Sequence, residues 1–469
     1  LDPDQSVLTV LTPEGSGAPA AGDGFGGGES FAPSHAADVD LPDWAAKPLA
    51  SIDTPTPRVT PQQSTLDNGL RLIVVPTDAT HAVHVYGHIR NEPYLQAPKG
   101  KEGIDGVLSS LLDYGTRKHD RVAYQAELDA IGARASAGSD FSLTVLPEHF
   151  DRGLALLAEN ELAPALPKEA FKVVQAQTAG AVAGQLTSPD FHAGQALKHA
   201  LLPNDDPTLR HATPETVNGL SLAEVTDYYH KTFRPDLATL VVVGDVDTAQ
   251  VRKAVEKNFG AWKAKGPTPD VDLPAVPANK AATVHVPDSA RVQDTVQVAE
   301  TLGLQPTDDD YRALELGNQV LTGGFYASRL YRELRAERGL VYYIHSGLQA
   351  DRTRARLAFE YGSQPDKVAE ANRLIADALA DMAKAPVSAA ELHRAQAGLV
   401  RQVPLGEASA GAIGMGLLSR VENGLPLDAP YRAARAYQSL DAEAIQAAFK
   451  RWIRPDALVH VIQGPAPAS

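Results

Sequence analysis

The segment LSLAEVTDYYHKTFRPD at residues 220–236 is repeated 220 residues later as LDAEAIQAAFKRWIRPD at residues 440–456. In both copies apolar residues recur at helical spacing and end in an Arg-Pro-Asp triplet, and an apolar run follows at residues 240–243 and 458–462. Proline disfavours continuation of a helix, and a short apolar run is typical of a buried strand. Each copy therefore predicts an amphipathic helix, a stop and a strand, so we expect two copies of one structural unit.

Two breaks in the pattern predict where the units begin and end. Asn68-Gly69 is a strong turn signal followed by a β-branched run, and the segment GPTPDVDLPAVP at residues 266–277 is rich in proline. We therefore predict domains at residues 63–265 and 283–469, joined by a linker at 266–282. Because both domains mix strands with helices, the predicted fold class is α+β: two homologous domains, each a mainly antiparallel sheet packed with helices.

The N-terminal part has a different composition. Residues 14–62 are rich in glycine and proline, which predicts a flexible linker. Before it, residues 3–13 read PDQSVLTVLTP, with the same proline-to-proline spacing as residues 455–465 and an apolar run between. We expect residues 1–13 to be the closing strand of a preceding unit of the same kind, and chance similarity over a short strand is the alternative.

Composition excludes several classes of function. The 58 acidic and 43 basic residues give a net charge of −15, which argues against a general nucleic-acid-binding protein. The sequence has no cysteine, so disulfides, thiol catalysis and cysteine-based zinc sites are excluded. No apolar run approaches the roughly 20 residues that a membrane helix needs, so we predict no membrane-spanning helix.

Four segments together resemble a known peptidase family. Residues 66–76, the block GIDGVLSSLLDYGT at 103–116 and the Arg-Pro-Asp of 234–236 are similar to the first domain of a pitrilysin/insulinase-type zinc peptidase half. The segment GGFYASRLYRELRAERGLVY at 323–342 resembles the signature of the second domain. The resemblance covers residues 63–465 and implies that the chain is one half of a clam-shell peptidase, in which two halves close around a substrate chamber.

The zinc motif of that family is degenerate in this sequence. The family's His-x-x-Glu-His places two imidazoles one helical turn apart with a general base between them. The matching positions here are Gly106, Ser109 and Ser110, and no Asp or Glu occurs from residue 170 to 189, where a further ligand would lie. Neither glycine nor a serine hydroxyl is a usual zinc ligand. We therefore expect no metal in this chain and a zinc ion in a partner half.

Three histidines, His81, His84 and His88, lie close together in sequence but not in a metal-binding pattern. The run VHVYGHI at 83–89 predicts a strand, in which His84 and His88 share a face about 13 Å apart and His81 points to the other face. Ligands of one zinc ion lie about 2.1 Å from the metal. Surface or hydrogen-bonded histidines are therefore the favoured interpretation.

The resemblance implies a functional pair at Arg335 and Tyr342, because the zinc-free half of such peptidases supplies an Arg and a Tyr seven residues apart. Arg335 lies in a predicted helix that ends at Gly339, and Tyr342 lies in an extended segment that follows. Both side chains are hydrogen-bond donors suited to a substrate carbonyl or oxyanion. Without the resemblance, the arginines at every third residue from 329 to 338 indicate a solvated salt-bridged face, and Tyr342 a core residue of the strand.

We therefore expect the non-catalytic half of a zinc metallopeptidase, which binds and orients peptide or unfolded substrates for a zinc-bearing partner half. That partner would be a separate chain or the upstream part of one precursor. Similarity to large exported bacterial members implies a periplasmic location. Two other functions stay open: a proteolytically inert scaffold or assembly subunit of the same fold, and a stand-alone peptide-binding module.

Overall fold

A computed structural model describes residues 42–465. The strand predicted at residues 1–13 and most of the predicted linker lie outside the described residues. The first sheet has the strand order β1-β2-β6-β3-β5-β4, in which β2 and β6 are parallel and the other neighbours are antiparallel. Its strands are β1 (Gln62–Thr65), β2 (Arg71–Pro76), β3 (Val83–Ile89), β4 (Arg134–Ser136), β5 (Asp140–Val145) and β6 (Ala238–Gly244).

Most helices of the first part of the chain cover one face of this sheet, whereas the first and the seventh contact the second unit. The helices of this part are α1 (Asp43–Ala50), α2 (Pro93–Gln96), α3 (Ile104–Leu112), α4 (Arg121–Ala130), α5 (Phe150–Leu162), α6 (Lys168–Leu186), α7 (Pro189–Leu201), α8 (Pro214–Asn218), α9 (Leu222–Thr232) and α10 (Thr248–Phe259). Ser221 accepts a hydrogen bond from the backbone of Glu224, whose side chain in turn caps the Ser221 amide, so α9 begins with a capping box. The alternating residues Leu240 and Val242 of β6 point into the core beneath these helices.

The second sheet repeats the topology of the first. Its order is β7-β11-β8-β10-β9, and β11, the strand after the second Arg-Pro-Asp, is parallel to β7 and antiparallel to β8. Its strands are β7 (Ala282–Pro287), β8 (Asp294–Leu302), β9 (Val341–Ala350), β10 (Ala355–Ser363) and β11 (Val459–Gly464). Its helices are α11 (Asp309–Asn318), α12 (Val368–Lys384), α13 (Ala389–Gln402), α14 (Ala410–Glu422), α15 (Ala429–Ser439) and α16 (Ala442–Trp452).

This repetition confirms the predicted α+β class, with two mainly antiparallel sheets packed with helices. The two copies of the repeated segment form α9 with β6 and α16 with β11, as their pattern predicts. In both copies the strand after the Arg-Pro-Asp triplet lies inside its sheet, between the first and second long strands of that unit. Sequence similarity over these short segments therefore reflects the same position in two equivalent sheets.

Each sheet is covered on its second face by a helix from the other unit. Helix α14 packs on the first sheet, where Ile413 and Leu417 contact Val241 and Val243 of β6. Helix α7 packs on the second sheet, where Leu197 joins β11 in one apolar cluster. The centre of each sheet is thus covered on both faces, and the apolar contacts that join the two units are reciprocal.

Residues 42–61, which the sequence places in a flexible linker, include α1 and contact the helices of the second unit. The side chain of Gln438 donates to the carbonyl of Ile52 at 2.8 Å, and Thr54 Oγ1 donates to Gln438 Oε1 at 2.7 Å. The backbone amide of Arg58 donates to Glu407 Oε2 at 2.7 Å. This segment therefore lies along the second unit before the chain enters the first sheet at β1.

We predict that Gly414→Ala destabilises the contact between α14 and the first sheet. A Cβ at Gly414 would lie 2.1 Å from Cδ2 of Tyr86 on β3, so the ring or the helix must move. Overpacking of this kind costs roughly 1–3 kcal/mol, which outweighs the ordinary helix preference for alanine. Thermal unfolding should show a lower Tm. Gly411→Ala is the matched control, because its Cβ would meet the Tyr86 hydroxyl at an ordinary 3.6 Å; an equal loss in both variants would contradict the prediction.

A second prediction concerns Glu161, which is fully buried at the end of α5 and accepts a hydrogen bond from the Gly138 amide at 3.0 Å. Burial raises the pKa of Glu161 to about 8, so the folded protein holds a proton that the unfolded chain releases at a lower pH. Its contribution to stability is therefore complete below about pH 4.5 and is lost as the pH rises towards 8.

We expect Glu161→Gln, which keeps the shape and cannot ionise, to reduce the fall in unfolding free energy between pH 5 and pH 8. Urea titrations at both pH values measure that difference. Glu148→Gln, which changes an exposed carboxylate just before α5, should keep the wild-type difference. An unchanged pH dependence in Glu161→Gln would show that Glu161 is ionised in the folded protein.

Candidate functional site

The candidate site lies where a short π-helical turn, Tyr331–Glu337, meets the edge strand β9. The turn ends with backbone hydrogen bonds that span more residues than those of an α-helix. The Arg338 amide donates to the Glu333 carbonyl at 3.1 Å, and the Leu340 amide donates to the Leu334 carbonyl at 2.7 Å. Gly339 between them has a φ of 59°, a left-handed conformation that favours glycine. The predicted helix stop is therefore present, and the chain reverses directly into β9.

This reversal brings Arg335 and Tyr342 together. The guanidinium carbon of Arg335 lies 4.9 Å from the centroid of the Tyr342 ring, a cation–π geometry. The neighbouring Leu334 and Val341 are fully buried and hold the two backbones, whereas the Tyr342 side chain is 43% exposed. The sequence-predicted pair is thus positioned by core residues on both sides while its ring stays accessible.

The other arginines of this segment are engaged by carboxylates. Arg329 forms a two-pronged ion pair with Glu391, with nitrogen–oxygen distances of 2.6 and 2.9 Å. Arg338 contacts Glu333 and Glu370 at 3.3 and 3.2 Å, and Arg332 lies 3.5 Å from Glu337. The salt-bridged face expected from the arginine spacing is therefore correct for these three residues, whereas Arg335 packs on an aromatic ring.

An aromatic cluster that the sequence interpretation did not single out lies beside the pair. Phe325, Tyr326 and Tyr331 contact one another with ring centroids 4.4 to 4.9 Å apart. Phe325 and Tyr326 are 60% and 54% exposed, and Phe325 has a left-handed φ of 49°. The signal for it in the sequence is the pair of aromatic residues directly after Gly323-Gly324. Tyr331 also contacts Arg335, so the cluster and the pair form one surface.

The degenerate metal-motif positions lie on the exposed face of α3. Gly106, Ser109 and Ser110 are all exposed, and Ser110 Oγ donates to the Gly106 carbonyl at 3.0 Å. A cavity of about 460 Å³ borders Gly106, and α6 presents Thr178, Val182 and Gln185 to it. Hydroxyls, an amide and an apolar side chain do not fit zinc, which requires imidazole, thiolate or carboxylate ligands.

The acidic groups near this cavity do not complete a metal site. Glu102 is held by Arg210 at 2.7 Å, and Asp105 lies beside Gly106 at the N-terminal turn of α3. Within residues 42–465 there is no cluster of three His, Asp or Glu side chains that could hold a metal ion. The residues present at this position therefore do not fit the zinc of an active half.

The histidines of β3 each have separate partners. His84 Nδ1 lies 3.2 Å from Thr144 Oγ1, and His88 Nδ1 lies 2.7 Å from Asp140 Oδ1. His88 Nε2 also lies 3.7 Å from Glu422 of α14. Burial alone lowers the pKa of His88, but the hydrogen bond to Asp140 and the charge of Glu422 outweigh it and raise the pKa. This part of β3 thus contributes to the contact between the units.

Comparison with known proteins identifies one family match and several relatives. Residues 219–399 match a protein family described as the peptidase M16 inactive domain. The chain is 24% identical over 368 residues to an uncharacterized zinc protease of Streptomyces coelicolor, covering 76% of this chain and 79% of that protein. It is 28% identical over 257 residues to a probable inactive metalloprotease of Bacillus subtilis, YmfF, covering 52% and 58%.

Solved structures share the fold. The peptidase M16 inactive domain from Pseudomonas fluorescens superposes with a TM-score of 0.77 at 22% identity, covering 87% of this chain and 99% of that one. The periplasmic protease PqqL from Escherichia coli gives a TM-score of 0.70 at 14% identity, covering 89% of this chain and 48% of PqqL. These findings confirm the resemblance to the M16 peptidases, the pitrilysin/insulinase family: residues 219–399 match the inactive domain of that family, and an M16 inactive domain of known structure superposes on most of the chain.

Proposed function

We propose that this chain is the non-catalytic half of a two-part zinc metallopeptidase and that it binds and orients peptide substrate. The observation that carries the proposal is the placement of Arg335 over the ring of Tyr342 at the accessible edge of the second sheet. The residues of α3 do not fit zinc, which supports the same proposal. A half without zinc ligands can contribute to hydrolysis through its contacts with the substrate.

The chemistry of the pair suits a peptide carbonyl. A guanidinium and a phenol both donate hydrogen bonds, and donors directed at a carbonyl oxygen stabilise the negative charge that develops there during hydrolysis. The buried Leu334 and Val341 limit the movement of the two side chains, so little reorganisation is needed on binding. The exposed aromatic cluster beside them adds apolar surface for neighbouring substrate side chains.

The partner in this proposal is a zinc-bearing half that supplies the metal and the general base. This chain matches about half of PqqL, which supports an assembly of two halves on one or two polypeptides. Closure of two halves around a chamber would restrict substrates to peptides and unfolded segments. A periplasmic location is part of the proposal, and the support for it is the likeness to a periplasmic protease.

An inert scaffold of the same fold is the second candidate, and the naming of one relative as a probable inactive metalloprotease favours it. The two candidates differ in what mixing with a zinc-bearing half does. A substrate-binding half raises peptide hydrolysis by that partner, whereas an inert scaffold leaves hydrolysis at the level of the partner alone.

We predict that Arg335→Ala lowers peptide hydrolysis by the assembled two-half enzyme by on the order of a hundredfold, the usual effect of losing one oxyanion donor. Zinc content measured by atomic absorption should stay unchanged, because the metal belongs to the partner. Tyr342→Phe keeps the ring beneath the guanidinium and removes only the hydroxyl. It should lower kcat and change thermal stability less than Arg335→Ala does.

Arg338→Ala is the matched control, because Arg338 lies one turn away and pairs with Glu333 and Glu370 of its own unit. We expect it to keep close to wild-type turnover. Equal activity of the Arg335→Ala, Tyr342→Phe and wild-type enzymes would refute the proposed role of the pair.

A further inference from the structure

A cavity of about 320 Å³ lies between the two units, bordered by the C-terminal end of α7, the segment that connects the units and the turn between β9 and β10. Its size is at the lower end of the range of about 300–1,000 Å³ that is usual for small-molecule sites. None of its lining residues belongs to the Arg335–Tyr342 pair, so a ligand here is independent of the proposed function. Part of the wall is apolar, contributed by Leu201, Leu202, Val276, Ala350 and Ala355.

Two cations without carboxylate partners line one end of this cavity. Arg356 of β10 is partly buried, and its only hydrogen bond among the described residues goes to the side-chain oxygen of Gln349 on β9. Burial lowers the pKa of Arg356, and no acidic group among the described residues offsets that effect. Lys198 of α7 donates to the carbonyl of Thr208 at 3.5 Å and has no carboxylate partner in the described part of the chain. Because a buried charge is unfavourable without a counter-charge, this end suits an anion.

The turn between β9 and β10 gives the cavity a negatively charged end. Asp351 lines the cavity there, and its Oδ1 accepts hydrogen bonds from the amides of Thr353 and Arg354, both at 2.8 Å. The guanidinium of Arg354 is already paired with Asp206 at 2.8 Å. The charge of Glu92 also lies close enough to interact with Arg354 and Asp351. Three carboxylates therefore surround the single cation Arg354, and this end suits a cation.

The register of the β9–β10 hairpin sets the distance between the two ends. Gln349 pairs with Arg356, and the Asp351 amide donates to the Arg354 carbonyl at 2.8 Å. Alternate residues of a strand face the same side, so Asp351 and Arg356 lie on one face of the hairpin. Their positions along the hairpin differ by two residues, which is roughly 7 Å at about 3.3 Å per residue. The cavity thus presents opposite charges at a defined spacing, with an apolar wall beside them.

We propose that this cavity binds a dipeptide that has free termini and apolar side chains. Its carboxylate accepts hydrogen bonds from Arg356 and Lys198, and its ammonium group donates to Asp351. Two extended residues span at most about 7 Å, which matches the spacing of the two ends, whereas a single amino acid spans half of it. The side chains pack on the wall formed by Leu201, Leu202 and Val276. Because both units border the cavity, the bound dipeptide stabilises their contact.

The test is calorimetric titration of the full-length protein with the dipeptide alanyl-leucine. We expect saturable binding of one dipeptide per chain and a rise in Tm. N-acetyl-alanyl-leucine lacks the ammonium group and alanyl-leucine amide lacks the carboxylate, so each should bind at least tenfold more weakly. Free leucine has both charges but is too short to join the two ends, and it should also bind at least tenfold more weakly.

Two variants test the two ends separately. Arg356→Gln removes the buried cation and should weaken binding of alanyl-leucine at least tenfold. Asp351→Asn removes the negative charge and keeps the side-chain oxygen that accepts from the amides of Thr353 and Arg354. It should weaken binding of alanyl-leucine several-fold, but it should bind N-acetyl-alanyl-leucine at least as tightly as the wild type does.

Arg352→Gln is the matched control, because Arg352 lies in the same turn but contacts the carbonyl of Glu422 at 3.3 Å and the carboxylate of Asp272 at 3.7 Å. It should bind alanyl-leucine like the wild type. Circular dichroism of each variant confirms that the fold is retained. The proposal is overturned by an absence of saturable binding, by equal affinity for the blocked dipeptides or for free leucine, or by wild-type affinity in Arg356→Gln.

Discussion

The structure depends on the reciprocal burial of two sheets. Each sheet has one apolar face beneath its own helices and a second apolar face that its own unit leaves uncovered. Helix α14 covers this second face of the first sheet, and α7 covers that of the second sheet. Because an exposed apolar sheet face is unfavourable in water, neither unit is complete without the helix of the other. Close approach at Gly414, directly above Tyr86, shows how tightly one of these helices is seated.

Polar contacts reinforce this exchange where the two units meet. Arg354 and Asp206 form a nearly buried ion pair at 2.8 Å between the β9–β10 turn and the loop after α7. The arginines of the two Arg-Pro-Asp triplets donate hydrogen bonds to the backbone of the segment that connects the units, at residues 265–279. Arg234 is 2% exposed and donates to the carbonyls of residues 265 to 267, where the segment begins, and Arg454 donates to the carbonyl of Asn279, where it ends. The proline-rich connection is thus held at both ends by equivalent arginines.

The same frame bears on the proposed division of roles between a zinc-bearing half and this chain. The face of α3 that would carry the ligands is exposed, so Gly106, Ser109 and Ser110 bear no packing and their identities leave the core unchanged. The Arg335–Tyr342 pair is different, because its geometry arises from the buried residues beside it and from the reversal at Gly339. In the proposed assembly, chemistry is supplied by one half and positioning by the other.

The sequence by itself determined the fold class, the two equivalent units and the helix stop at Gly339, because these follow from local periodicity and turn chemistry. The unsuitability of α3 for zinc follows from the residue types at the positions that the family resemblance identifies. The cation–π contact of Arg335 and the exchange of α7 and α14 were decided only by the tertiary structure. These features join residues that are distant in sequence or lie on different elements. An arginine that pairs with a carboxylate and an arginine that packs on a ring also have the same sequence spacing, so the sequence does not distinguish them. The course of residues 42–61 along the second unit could not be predicted for the same reason. A glycine- and proline-rich composition indicates freedom of the backbone. The hydrogen bonds that hold this segment involve Gln438 and Glu407, which lie about 350 to 390 positions away in sequence.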